Sequence, residues 1–244
     1  ASLISKIPAK NRLADFPHYL MHRAEQLDNL YIFKNTEGTP ENIRKFHPNI
    51  IVSSTGSAPL LPPIAGLKDR IDNEKHNIYS ILGMISHIND FPKDLEGKKV
   101  VVVGGGAVGL DVVEFFADRN ADISIVEMMD QIGRDLDPVS KNDTKTMMKK
   151  HNVHQLTKTA LLEVKDSSFL VRGDGEPYEL PFEYGFVCLG MRAQGQLYQN
   201  LTEEFSSEDV EIMNIGDSQR ARRIIDGTQE GRNILTILEQ KGYL

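Results

Sequence analysis

"VVVVGGGAVGLDVVEFF", Val100 to Phe116, decides how the rest of this 244-residue chain is read. Four consecutive valines make an apolar run of the kind found in a strand covered on both faces. Gly104, Gly106 and Gly109 then fit the spacing G-x-G-x-x-G, and the apolar residues from Ala107 to Ala117 recur as on a helix packed against a sheet. Each glycine has its own mechanical role. Gly104 permits the tight turn leaving the strand, Gly106 lets the backbone approach a pyrophosphate, and Gly109 lets the helix pack closely on the sheet. Phosphates would meet the amides around Ala107 and Val108, where unpaired N–H groups and the helix dipole favour negative charge.

Downstream, Asp122 to Glu127 reads as the second strand of the unit, and Glu127 lies 18 residues beyond Gly109. That is close to the spacing of about 20 residues at which a carboxylate holds the adenosine ribose of a dinucleotide. Its charge would repel a 2′-phosphate. The next residues are "MMDQ", and the first base is Arg134, so NAD(H) is favoured over its phosphorylated form. Asp137 to His151 reads as a further helix and "NVHQL" as a third strand. Residues 160–180 read as a meander turning at Gly173-Asp174-Gly175, and "YGFVCLG" as another buried strand. The fold class is α/β, a Rossmann-like parallel sheet with a β-meander.

Upstream, Arg12 to Leu30 reads as a surface helix, with Pro17 in its first turn or at a break. "LYIF", Leu30 to Phe33, is a short strand candidate, and "TPENIRKF" carries the Thr39 cap and Pro40 start of a short helix. Asn49 to Ser53 is a buried strand ending in a Gly/Ser/Pro turn, and Ala65 to Gly97 reads as a polar linker with one apolar helical segment from Tyr79 to Ile88. "VEIMNIGD" is a strand running into a turn, before a long C-terminal helix.

Composition removes whole classes of function. A net charge of −7 without a dense basic run argues against nucleic acid as a partner. One cysteine, Cys188, excludes within this chain an internal disulfide, a redox-active cysteine pair and a cysteine-held iron–sulfur cluster, and core packing is its expected role. No run approaches the roughly 18 apolar residues of a membrane span, and "ASLISKIPAKNRLADF" lacks a signal peptide's apolar core, so the expectation is a cytoplasmic protein without a membrane partner. His18 with His22 and His151 with His154 have metal-like spacings but no further ligand nearby, so no metal site is expected. "RARR", Arg220 to Arg223, reads as an exposed basic patch or an interdomain contact. No catalytic side chain stands out, as suits a module in which the cofactor carries the chemistry.

Two further motifs explain why the fingerprint comes so late. "STGSAP", Ser54 to Pro59, and "IGDS", Ile215 to Ser218, flank it, and the chain thereby resembles the two-dinucleotide-domain flavoprotein reductases, in which a nicotinamide-binding domain is inserted into an FAD-binding one. "SKIPAKNRLADFPHYL" and "IIDGTQEGRNIL" look most similar to the C-terminal reductase region of the old-yellow-enzyme-related group of 2-enoate reductases, 2,4-dienoyl-CoA reductases and trimethylamine-type dehydrogenases.

The resemblance implies residues 1–97 as the later part of an FAD-binding domain with a linker, 98–206 as the NAD(H)-binding domain and 207–244 as the return to the first. It adds Gly56 and Gly190, in the analogous turns "SSTG" and "VCLG", and Gly216 and Asp217 of "IGDS" to the cofactor-binding residues. The parent would carry FAD, with FMN and a [4Fe–4S] cluster on a barrel not encoded here. Hydride would pass from NADH to FAD and single electrons through the cluster to FMN, which would reduce an activated alkene such as a 2-enoate, and the isolated chain would be inactive. The FAD half and the barrel would be its partners, and a homo-oligomer is left open. The rivals are a disulfide-reductase-like flavoprotein and a non-catalytic nucleotide-binding module.

Overall fold

The computed structural model describes residues 3–243, with the Ala9 side chain left aside. Two 3-10 segments, Ile4–Lys6 and Pro8–Ala14, lead into α1 (Asp15–Ala24), α2 (Pro40–Arg44), β1 (Ile50–Ser53) and β2 (Ser57–Pro59). Next come α3 (Leu67–Arg70), β3 (Ile78–Tyr79), α4 (Ile81–Ser86), β4 (Lys99–Val103), α5 (Ala107–Ala117), β5 (Asp122–Val126), α6 (Pro138–Lys150) and β6 (His154–Leu156). The chain continues through β7 (Ala160–Val164), β8 (Ser168–Arg172), β9 (Tyr178–Pro181), β10 (Tyr184–Val187), β11 (Met191–Ala193), α7 (Gln196–Glu204), β12 (Glu211–Asn214) and α8 (Ile224–Gln240).

These elements form two compact units. One takes Pro59–Gly190 together with the N-terminal segment up to Pro17, the other His18–Ala58 with Met191–Leu244. In the first, a five-stranded parallel sheet has the order β3-β10-β4-β5-β6. α5 and α6 are its crossovers, and the antiparallel sheet β7-β8-β9 fills the connection back to β10.

The valine run explains the layering. Val101 and Val103 pack with Val126, Val164, Phe169 and Val187 on the meander side. Val100 and Val102 are fully buried, and Val102 faces α5 through Gly109. Because alternate side chains leave opposite faces of a strand, valine at all four positions means cover on both sides. On α5, Phe116 packs its ring against Phe91 and Phe186 at centroid distances of 5.1 and 4.8 Å.

In the second unit β1 and β12 pair in parallel, with Ile51 in register with Ile212. Leu201 and Phe205, at and just beyond the end of α7, pack with Ile51 in the small core there. Arg44 of α2 reaches Glu204 at 2.8 Å and also pairs with Glu208. α1 buries none of its residues, and Tyr19, Tyr31, Phe33, Phe46, Ile225 and Leu235 are all more than half exposed.

Several expectations need correction. The Arg12–Leu30 helix is shorter, with α1 ending at Ala24 and Pro17 accommodated in its first turn. Leu30 to Phe33 forms no strand, because "LYIF" finds no ladder partner; Phe33 instead packs on Phe46 at 5.1 Å. The supposed linker contributes β3, which pairs with β10, and buries Leu67, Ile78, Met84, Phe91 and Leu95. In the compact unit around the fingerprint this stretch lies with the rest of Pro59–Gly190.

Candidate nucleotide-binding site

The glycine turn is built by close approach. Gly104 leaves β4 with φ +110°, a region that side chains disfavour, and a Cβ there would stand 2.1 Å from the Cys188 carbonyl oxygen. A Cβ on Gly109 would lie 1.9 Å from the Gly104 carbonyl oxygen, so the first turn of α5 sits directly on the turn before it. Gly106 differs from both. It is exposed, has ordinary extended dihedrals, and a Cβ there would meet nothing within 4 Å. No side chain caps α5, and the first bond from an amide back to Gly106 is that of Leu110, at 3.0 Å. The earlier amides of Ala107, Val108 and Gly109 thus have no intrahelical acceptor, and the space beside Gly106, just before them, is open. These residues fit a dinucleotide pyrophosphate.

Glu127 follows β5 and is held at four points. Its Oε2 accepts from the Gly105 amide at 2.6 Å and its Oε1 from the Met129 amide at 2.7 Å. Its backbone N–H donates to Leu156 and its carbonyl accepts from Thr159, both at 2.9 Å. Each carboxylate oxygen keeps a lone pair for a ribose hydroxyl. Gly190 lies two residues beyond Cys188, whose amide bonds to Val103 at 2.7 Å, so the ends of β10, β4 and β5 carry the predicted residues of this unit along one edge.

Two features lie beyond the predicted set. Gly105 is one, through its bond to Glu127. The other is Lys10, whose ammonium reaches Asp111 at 2.7 Å and Glu114 at 3.0 Å on α5. It borders a cleft of about 320 Å³ between α5 and α6 that Ala107, Asp111, Leu136 and Met147 also line. Burial pushes the Asp111 carboxyl above the usual range even with Lys10 opposing it. Burial also works against the Lys10 ammonium, yet the two carboxylates together hold its pKa above the usual lysine value. No local pattern announces this contact, because the partners are about a hundred residues apart.

In the other unit, β1 and β12 bring Gly56, Gly216 and Asp217 to the same end of their short sheet, with the Ile215 amide bonded to Ser53 at 3.0 Å. Here the polar groups are already engaged. Asp217 accepts from the Ser57 hydroxyl and the Arg222 amide, each at 3.1 Å. The Gly216 amide donates to Glu230 at 2.6 Å, and that bond with the Arg222 contact keeps the Glu230 carboxyl below its usual range. Asp217 does not cap the final helix; at the start of α8 the Arg223 amide donates to the Asp226 carboxylate at 3.0 Å. The sequence holds one G-x-G-x-x-G, so the residues present fit a nicotinamide dinucleotide but supply no second pyrophosphate cradle for FAD.

The remaining candidates are peripheral. Cys188 is buried and its thiol is pushed up to about 12 by desolvation. His22 contacts Gln26 and His154 contacts Asp122. Among the described residues no group of three or more His, Cys, Asp or Glu side chains could hold a metal, and no helix is long and apolar enough to cross a membrane.

Comparison with known proteins widens the setting. Residues 22–213 match the family described as pyridine nucleotide-disulphide oxidoreductase. A metal reductase of Desulforamulus reducens is 26% identical over 90% of this chain and 36% of its own length. A cinnamate reductase of Clostridium sporogenes is 21% identical over 78% of this chain and 27% of its own. Among solved structures, a 2-naphthoyl-CoA reductase shares the fold with TM-score 0.76 and 22% identity, across 94% of this chain and 33% of that one. The chain thus spans about a third of the length of these relatives. With the family matched over most of the sequence and its nucleotide turn in place, the chain belongs to the pyridine nucleotide-disulphide oxidoreductase family.

Proposed function

We propose that this chain is the NADH-binding part of an FAD-dependent oxidoreductase of the enoate-reductase-like group. The observation that carries the reading is the open space over Gly106, set between an uncapped helix start and the fixed carboxylate of Glu127. When bound, NADH supplies the hydride. The chain's own residues do the positioning: Gly104 and Gly109 shape the turn, the Ala107 and Val108 amides hold the pyrophosphate, and Glu127 receives the adenosine ribose and disfavours a 2′-phosphate.

The wider activity rests on the resemblance, with support from the cinnamate reductase relative: NADH would give its hydride to an FAD held with residues from outside this chain, and single electrons would then pass through an iron–sulfur cluster to an FMN that would reduce an activated alkene such as a 2-enoate. Gly56, Gly190, Gly216 and Asp217 are retained as cofactor-side residues of that assembly; the Gly216 amide must leave Glu230 before it can donate to a flavin, whereas Asp217 keeps a lone pair on each oxygen beside its bonds to Ser57 and Arg222. Disulfide chemistry within the chain is disfavoured by its single, buried, high-pKa thiol. The test is calorimetric titration with NADH, NADPH and FAD. Saturable NADH binding with much weaker NADPH binding and none of FAD is expected; no nucleotide binding at all would overturn the assignment and favour a module that keeps the fold alone.

A further inference from the structure

We infer that Gly105, a position left unspecified by the glycine fingerprint, is the positioning residue that sets where the Glu127 carboxylate stands and so how well the site tells NADH from NADPH. The inference rests on the nucleotide-binding reading above and deepens it.

The geometry is specific to this residue. Both backbone groups of Gly105 are committed outside its own helix and strand: the N–H donates to Glu127 Oε2 at 2.6 Å, and the carbonyl accepts from the Gly133 amide at 2.7 Å. One peptide unit on either side of a single α-carbon therefore ties the phosphate turn to the carboxylate and to the loop that follows β5. Gly105 is not among the residues with positive φ, so its backbone does not itself call for glycine. What demands glycine is Glu127 itself, because a Cβ on residue 105 would stand 3.0 Å from Oε2 and 3.1 Å from both the Cβ and the Cγ of that side chain. Gly105 is buried, whereas the neighbouring Gly106 is exposed, so one glycine makes room for the ligand and the other makes room for the ligand's acceptor.

A methyl at 105 must push the glutamate aside by a few tenths of an ångström and lengthen a charge-assisted bond. The carboxylate then no longer faces the ribose from a fixed place. NADH loses an oriented acceptor, while NADPH, which gains nothing from that carboxylate, loses little. Since a hydrogen bond to a charged group carries about one decade of affinity, the NADH:NADPH preference should fall about tenfold in Gly105→Ala.

The experiment has two arms. In the first, without nucleotide, amide NMR of the full chain reads the Gly105 N–H directly: a downfield, slowly exchanging resonance is expected, moving upfield and exchanging faster in Glu127→Ala. A Gly105 amide that is indifferent to Glu127→Ala overturns the inference whether or not any nucleotide binds. The second arm titrates wild type, Gly105→Ala and Glu127→Gln with NADH and NADPH. Selective loss of NADH affinity in Gly105→Ala, approaching the preference left in Glu127→Gln, supports it. Unchanged affinities, or an equal loss for both nucleotides, overturn it. Failure of the wild type to bind either nucleotide sinks the functional reading instead, and leaves the NMR result standing.

Discussion

Replacing Gly106 with valine should separate binding from folding. Its extended dihedrals suit a valine, and a Cβ there would have no neighbour within 4 Å, so the folded state loses only the small helix-start preference for glycine over an apolar residue, about 0.5–1 kcal/mol. The nucleotide fares differently, because the branched side chain would occupy the approach to the amides of Ala107 and Val108. Losing two hydrogen bonds to a charged phosphate, at roughly 1.5–3 kcal/mol each, weakens binding by at least about a hundredfold. Gly109→Ala is the contrast. Its Cβ would lie 1.9 Å from the Gly104 carbonyl oxygen, so α5 has to lift off the turn. Overpacking of this kind costs about 1–3 kcal/mol, partly offset by the roughly 1 kcal/mol gained when alanine replaces a helical glycine. Urea unfolding and NADH calorimetry on both variants make the assay. Unchanged NADH affinity in Gly106→Val, or a large drop in its urea midpoint, would refute the reasoning.

Three further outcomes follow from the same geometry. Gly104→Ala combines a disfavoured φ with a clash on the Cys188 carbonyl, and should lower the urea midpoint more than Gly109→Ala does. Lys10→Met leaves Asp111 largely buried without its nearest cation, and because both side chains keep about a quarter of their exposure it should cost about 1–2 kcal/mol at neutral pH, between the values for exposed and fully buried pairs. A carboxyl whose folded pKa is raised stabilises the fold below its unfolded pKa and loses that contribution as pH rises through the folded value, so the gap between Lys10→Met and wild type should narrow in acid; a gap that widens there would contradict the burial of Asp111. Cys188, with its thiol pushed up to about 12, should resist thiol reagents at pH 8 until the protein unfolds, and rapid labelling under native conditions would show the strand end to be open.

The nucleotide unit was legible because its signals are local. Four valines, a glycine turn and an apolar helix stripe sit within a short stretch, and α5 spans the residues its periodicity predicts. The helix expected over Asp137 to His151, found as α6, and the turn between β8 and β9 were readable for the same reason. What escaped depends on distant partners. β3 is two residues long and becomes a strand only because β10 lies beside it, so a stretch rich in charge read as a linker. "LYIF" failed in the opposite direction, having strand-like composition but no partner. At the site, glycine spacing and the distance to Glu127 picked out the turn and the carboxylate on which the proposed binding rests, whereas Gly105 and Lys10 are defined by contacts that no spacing encodes.

The position of β10 between β3 and β4 also orders the events of synthesis. β4, β5 and β6 can zip together as they emerge from the ribosome, each beside the one before it. β3 must wait, unpaired, for a strand made about a hundred residues later, and loop closure over that distance is the slow kind. The same late strand delivers the Cys188 carbonyl against which Gly104 is packed. A nascent chain therefore carries its complete glycine motif long before it has the wall that shapes it, and competence to hold a nucleotide marks the end of this unit's folding rather than its beginning.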